Sequence, residues 1–255
     1  MHPTITFVIP MAGAGSRFAK AGYKDPKPLI PVHGRPMIDV VIQNLTPTRY
    51  ESRFIFLVQK EQIKKYAVDE KLRTWSPGCE VIAVDGLTDG AACTVLLAKQ
   101  FITNAPLVIA NCDQYVDCSI DDFLDSWLGE NYDGMIMTMS ANDPKWSFVG
   151  FDGNGKVNRV VEKEVISTEA TVGIYAFTHG TDFVRAAEAM ISANERVKNE
   201  FYVAPTYNRL IKDRARLGIW NIGSERNGMF GLGIPDDLEY FLSLPWTKKL
   251  GLCTQ

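Results

Sequence analysis

Short apolar runs alternating with helix-spaced stretches fill the first half of the chain, and this alternation limits the fold more than any other feature. Thr4–Pro10, Arg53–Val58, Val81–Val84 and Leu107–Ala110 read as strands. Pro36–Leu45, Glu61–Trp75, Ala91–Phe101 and Ser119–Leu128 have helical spacing. Strands separated by helices of this length predict βαβ units and a largely parallel sheet. The second half changes character. Gly134–Ala141, Phe148–Phe151, Val157–Glu162 and Thr171–Phe177 read as further strands, and "DGNG" at Asp152–Gly155 is a hairpin signal. Asp182–Asn194 and Ala204–Arg214 read as helices, and the chain ends with short strands and a helix near Asp236–Leu244. The expectation is an α/β fold with a mixed, mostly parallel central sheet flanked by helices. No repeat, low-complexity tract or Pro/Ser linker divides it, so one domain over residues 1–255 is the simplest reading.

Charge and composition remove several classes of function. The chain has 255 residues, 46% of them hydrophobic, and a formal charge of -3. That balance gives no footprint for nucleic acid and no polybasic segment for a membrane surface. No apolar run is long enough to span a bilayer. Five cysteines (Cys79, Cys93, Cys112, Cys118 and Cys253) show no C-x-x-C spacing, which points to a reducing cytoplasm with free thiols. Three scattered histidines, His2, His33 and His179, argue against a His-based zinc site. The apolar start lacks the cationic flank of a signal peptide.

Open α/β sheets bind ligands outside the carboxyl ends of their strands. The unusual residues of this chain stand there. After Pro10 comes "MAGAGSRF", where Gly13 and Gly15 leave backbone N–H groups open to an anion. Arg17 adds a planar charged fork. Lys27, between Pro26 and Pro28, adds a point charge on a stiffened backbone. Together they suit a triphosphate; a small-residue turn with two solvated cations is the plainer alternative. A Walker loop is absent. The dinucleotide fingerprint would need a glycine where Phe18 stands.

The stretch "MAGAGSRF…PKPLIPVHGRPMI" resembles the G-x-G-x-R…PKP signature of the nucleotidylyltransferases that make nucleotide sugars. "DGAACTVLLA" (Asp89–Ala98) is similar to that family's base-binding loop, and "VIANCDQYVD" to its magnesium-binding strand end. "VVEKE", "TVGIYAF", "NEFYVAPTYNRLI" and "GLGIPDDLEYF" resemble its E-K-P, glycine-bearing, acidic-loop and G-T-P segments in order. The resemblance implies a Rossmann-like fold of the nucleotide-diphospho-sugar transferase type. It divides the chain into a nucleotide-binding half, 1–115, and an acceptor-binding half, 116–255.

It also implies a reaction. A nucleoside triphosphate, pyrimidine rather than purine, is joined to a phosphorylated small molecule with loss of pyrophosphate, for surface polysaccharide precursors. Positioning and charge neutralisation dominate such phosphoryl chemistry. The implied nucleotide contacts are Ala12, Gly13, Ala14, Gly15, Ser16, Arg17, Lys27, Asp89, Gly90, Ala91 and Asn111. Asp113 is the implied Mg²⁺ ligand. Lys163 is placed on the acceptor's phosphate, with Glu162, Gly173 and Glu200 on the acceptor side. Arg17, Lys27, Asp113 and Lys163 carry the catalysis. By resemblance, a homodimer is expected.

Plainer readings stand beside these. Asp113 also suits a strand-end turn, Glu162 and Lys163 a solvated strand end, Gly173 a packing glycine and Glu200 a surface charge. Asp121 and Asp122 read as first-turn helix charges. Met135, Met137 and Met139 read as one face of a core strand. One departure matters: where the family commonly carries a second magnesium aspartate this chain has Gly231, with Ile234 in place of the threonine. Glu200 or Asp236 could replace it, or the ion could keep more water. A nucleotide-sugar-dependent glycosyltransferase and a non-catalytic nucleotide-binding regulatory subunit remain as alternatives.

Overall fold

A computed structural model describes residues 3–251; His2 and Cys253 lie outside them. The first half runs β1 (Ile5–Pro10), α1 (Ser16–Lys20), β2 (Pro31–Val32), β3 (Arg35–Pro36), α2 (Met37–Leu45) and β4 (Ser52–Gln59). It continues through α3 (Lys60–Tyr66), α4 (Val68–Trp75), β5 (Glu80–Val84), α5 (Ala91–Leu96) and β6 (Leu107–Ala110). The second half holds β7 (Gln114–Val116), α6 (Ile120–Gly129), β8 (Gly134–Ser140), β9 (Ser147–Phe151), β10 (Val157–Glu162) and β11 (Glu169–Phe177). Then follow α7 (Gly180–Ser192), α8 (Tyr207–Lys212), β12 (Leu217–Glu225), β13 (Gly228–Gly231) and α9 (Pro235–Ser243).

The main sheet has the order β5-β4-β1-β6-β11-β8-β12-β13-β7, with β9 and β10 branching from β11. β1 pairs in parallel with β4 on one side and β6 on the other, so the strand order reverses between β1 and β6. Ligands of open α/β sheets bind at such a reversal. β11 runs antiparallel to both β6 and β8, and β12 returns parallel to β8. The sheet is therefore mixed and mostly parallel, as the sequence implied. β9 and β10 form the expected hairpin, closed by Asp152 Oδ1, which accepts from the Asn154 and Lys156 N–H groups.

Alternate residues of each strand build the two sides of the core. Phe7, Phe54 and Phe56 stack on one face, with ring centroids 4.9 and 5.8 Å apart. Val8, Ile55 and Leu57 enter the opposite face. Met135, Met137 and Met139 are all buried on the phenylalanine side, as a core strand requires.

Four local readings change. The helix expected over Glu61–Trp75 is broken at Ala67, whose φ of 49° is left-handed. The break starts a new helix whose Val68 and Leu72 are fully buried. The helix expected over Ala91–Phe101 stops at Leu96, and its last residues, Lys99–Phe101, form a 3₁₀ turn. The stretch Ala204–Arg214 likewise begins with a 3₁₀ turn, Ala204–Thr206. Asp121 is more than a helix-end charge. It is 4% exposed and accepts from the Thr48 and Arg49 N–H groups and the Thr48 hydroxyl. Burial works against its charge, but those bonds hold its pKa below the usual value.

Candidate active site

The loop after β1 carries Met11 to Gly15 over the carboxyl end of the sheet. Gly15 adopts φ 60°, ψ 21° and opens α1, a left-handed turn that favours glycine. Gly13 differs: a Cβ built there would meet nothing within 4 Å. Its missing side chain leaves open space above the loop rather than relieving a clash. Lys27 starts a 3₁₀ turn behind Pro26, which holds φ -62°, ψ 147°.

Across the reversal between β1 and β6, Asp113 ends the strand-exit segment "NCD". Lys27 Nζ donates to Asp113 Oδ2 at 2.8 Å, joining positions far apart in sequence. Burial is the largest single effect and disfavours the Lys27 ammonium, but the neighbouring charges, Asp113 first, and the Asp113 hydrogen bond together raise the lysine's pKa. Cys112, between them in the wall, is buried, which pushes its thiol up to about 11. It is a neutral wall, not a nucleophile.

Three adjoining cavities share Asn111. The largest, about 400 Å³, is lined by Ala12, Gly13, Ala14, Lys27, Gly90, Ala91, Asn111, Asp113 and Glu200, with Leu87 and Thr88. A second, about 280 Å³, holds Glu162 and Gly173 among Trp146, Ser147, Tyr175 and Tyr202. A third, about 260 Å³, places Arg17 and Asp113 beside Gln114, Trp146 and Asp237. Arg17 is exposed, and among the described residues its guanidinium has no hydrogen bond or ion pair. Gly15 and Ser16 lie at the edge of this arrangement and line none of the three.

Several expected residues are placed differently from one another. Asp89 turns its carboxylate to Arg196 at 3.0 Å and lines none of these three cavities, while its carbonyl accepts from the Phe201 N–H. Gly90 has φ 125°, and a Cβ there would lie 2.5 Å from the Phe201 carbonyl. Its glycine is demanded by that backbone crossing. Gly173 has φ 83°, and its Cβ would lie 2.1 Å from Asn111 Nδ2. Glu200, assigned to the acceptor side, lines the first of these cavities, with Gly13 and Lys27, instead. Glu162 is 8% exposed and accepts from the Ser147 hydroxyl. Burial raises its carboxyl above the usual range, with the Ser147 bond and Lys163 opposing. Lys163 donates to the Tyr202 hydroxyl and lines none of these cavities itself.

At Gly231 the chain fills the gap from elsewhere. A Cβ at Gly231 would lie 3.2 Å from Asp237 Oδ2, so that carboxylate stands over the glycine. Asp237 Oδ1 accepts from Arg226 at 3.3 Å. Asp236 is exposed and lines none of these three cavities. Gln114, Trp146, Tyr202 and Asp237 all enter the site without a sequence signal, because only the fold brings them there. Among the described residues, Gln114 Nε2 and Trp146 Nε1 are buried without a hydrogen-bond partner.

Residues 7–207 match the family model described as nucleotidyl transferase. Among curated proteins, the bifunctional protein GlmU of Methanococcus maripaludis is 29% identical over 173 residues, 66% of this chain and 39% of that protein. The low-salt glycan biosynthesis nucleotidyltransferase Agl11 of Haloferax volcanii is 24% identical over 177 residues, 67% of this chain and 48% of that one. The chain thus spans well under two thirds of these curated relatives. A solved nucleoside-diphosphate-sugar pyrophosphorylase from Vibrio cholerae RC9 superposes with TM-score 0.78 at 28% identity, covering 93% of this chain and all of that one. The inositol-1-phosphate CTP transferase from T. maritima shares the fold, with TM-score 0.69 at 14% identity over 98% of this chain and 95% of that one.

Proposed function

The chain belongs to the nucleotidyl transferase family, and on that footing we propose that it transfers a nucleoside monophosphate from CTP, dTTP or UTP to a phosphorylated small molecule and releases pyrophosphate. The observation that carries this reading is the Lys27–Asp113 pair in a cavity roofed by a loop with a bare glycine. A cation, a carboxylate and open backbone N–H groups meet where a triphosphate needs all three.

The acceptor is a sugar phosphate or a non-sugar phosphate. Its oxygen attacks the α-phosphorus, forming the new P–O bond as the bond to the pyrophosphate oxygen breaks. Pyrophosphate leaves with that electron pair. The Ala12–Ser16 backbone and Arg17 hold the β- and γ-phosphates, and Lys27 neutralises the α-phosphate as charge develops. Gly90, Ala91 and Asn111 frame the nucleoside, and Asp89 holds the Gly90–Ala91 loop through Arg196 and Phe201. Lys163 takes the acceptor's phosphate, with Glu162 and Gly173 lining the adjoining cavity, while Glu200 lines the nucleotide's cavity.

Asp113 is the proposed Mg²⁺ ligand. The described residues include no cluster of three or more His, Cys, Asp or Glu side chains suited to a metal. The oxygen donors Asp113 and Asp237 share a cavity, which fits an ion that takes few carboxylates and keeps its waters. When bound, Mg²⁺ supplies charge neutralisation to the triphosphate. A cytoplasmic setting, a homodimer and a place in surface polysaccharide precursor synthesis complete the reading. They rest on the resemblance, with the glycan role carried by the name of the Haloferax relative.

The test is pyrophosphate release with Mg²⁺, pairing CTP, UTP, dTTP, ATP and GTP with glucose 1-phosphate, inositol 1-phosphate, phosphocholine and phosphorylated polyols. Release that requires one nucleotide and one acceptor supports the reading. Release of nucleoside diphosphate from a nucleotide sugar would favour a glycosyltransferase. Nucleotide binding without turnover of any pair would favour a regulatory subunit.

A further inference from the structure

Lys163 sits in an unusual setting. It follows β10 with φ 59°, a left-handed conformation uncommon for a residue with a side chain. Its ammonium donates to the Tyr202 hydroxyl and lies over the Tyr202 ring, 4.3 Å from the centroid. The nearest carboxylate, Glu162 Oε1, is 4.0 Å away, and Glu162 is engaged by Ser147. Lys27 has the opposite arrangement, a direct carboxylate bond at 2.8 Å.

Tyr202 is itself tied to the nucleotide side. The Phe201 N–H donates to the Asp89 carbonyl, and the Phe201 carbonyl accepts from the Ala92 N–H. Arg196 bonds Asp89 and covers the Phe201 ring at 4.3 Å. Gly90 is glycine because this segment crosses it. The segment over residues 196–202 therefore joins the Asp89–Ala91 loop to the ammonium of Lys163, and Tyr202 lines the second cavity beside Glu162 and Gly173.

We propose that Tyr202 is a positioning residue that aims Lys163 at the acceptor's phosphate while no carboxylate stands closer to the ammonium than Glu162 at 4.0 Å. The inference rests on the transferase reading above and deepens its acceptor side. A phenol offers an oxygen lone pair and a negative ring face, so it fixes a cation by hydrogen bond and by cation–π attraction. A carboxylate in its place would fix the cation equally well but compete with the incoming phosphate. Burial and the Glu200 carboxylate beside it keep the phenol's pKa above its ordinary value, so it remains neutral.

The test uses Tyr202→Phe, Tyr202→Ala, Tyr202→Glu and Lys163→Met in the full chain, with kcat and both KM values measured on the productive pair found by pyrophosphate release. Tyr202→Phe keeps the ring and raises the acceptor KM about threefold. Tyr202→Ala raises it about tenfold or more, corresponding to about 1.4 kcal/mol. Tyr202→Glu raises it further than Tyr202→Phe, and the nucleotide KM stays within about twofold in both. An unchanged acceptor KM in Tyr202→Ala, or Tyr202→Glu as good as wild type, overturns the proposal while leaving the transferase reading intact. If wild type turns over no pair, the transferase reading is what fails. Stabilisation of the CTP-loaded protein by inorganic phosphate then reads Lys163 without turnover. The proposal stands if Lys163→Met and Tyr202→Glu both lose that stabilisation, and falls if either keeps it.

Discussion

Glu162 shows how one buried carboxyl sets a condition on the site. Its pKa is raised chiefly because burial disfavours its charge. The folded state therefore holds its proton to higher pH than the unfolded chain does. Stability falls as pH rises from the ordinary carboxyl value through the folded one. Glu162→Gln should flatten unfolding free energy across that window, as read by denaturant titrations at stepped pH; an unchanged slope would contradict the buried-carboxyl account. The glycines divide in the same physical way. Gly13→Ala meets no atom, so it should change stability by less than about 0.5 kcal/mol and weaken nucleotide binding about tenfold by filling the space a phosphate needs. Gly173→Ala faces a left-handed backbone and Asn111 Nδ2, so it should cost at least about 2 kcal/mol. Thermal melts and nucleotide titrations on both variants separate the two cases. Gly13, Lys27 and Asp113 were legible in the sequence because their types and order resemble the family signature, and the fold gathers them around one cavity. Tyr202 and Asp237 were not, since a tyrosine and a helix-start aspartate acquire meaning only from what they are folded against.

Strands were read more closely than helices for a physical reason. The parallel strands β1, β4 and β6 are buried on both faces, so each appears as an unbroken apolar run, and their ends were placed within one residue. The break at Ala67 has no such mark. Left-handed backbone at a non-glycine residue is selected by the burial of Val68 and Leu72, a tertiary demand. The short strand β7 escaped notice, because three residues leave no periodicity to read, and its partner β13 was expected only as one of the short strands near the last helix. They matter to the site: the Leu232 N–H donates to the Asp113 carbonyl, so the segment following β13 holds the strand exit that carries the carboxylate.

One sheet joins the two halves that the resemblance assigns to nucleotide and acceptor. β6 pairs with β1 through Leu107–Ile109 and with β11 through Leu107–Ala110, and these four residues are almost wholly buried. Residues 1–115 produced alone would expose β6 as an apolar, unpaired edge. That fragment should elute as aggregate in gel filtration; a monomer that unfolds cooperatively would show that the halves are independent. The same continuity places Lys27 from one half against Asp113 at the seam, with Lys163 and Tyr202 arriving from the other.

The central claim is that Lys27 and Asp113 form the centre at which a triphosphate is cleaved. Its most direct measurement is single-turnover pyrophosphate release by wild type and Lys27→Ala, with saturating nucleotide and acceptor. Lys27→Ala should retain nucleotide binding and slow release by roughly 10²-fold or more, as expected when a group that stabilises transition-state charge is lost. Release at the wild-type rate from Lys27→Ala would contradict the assignment.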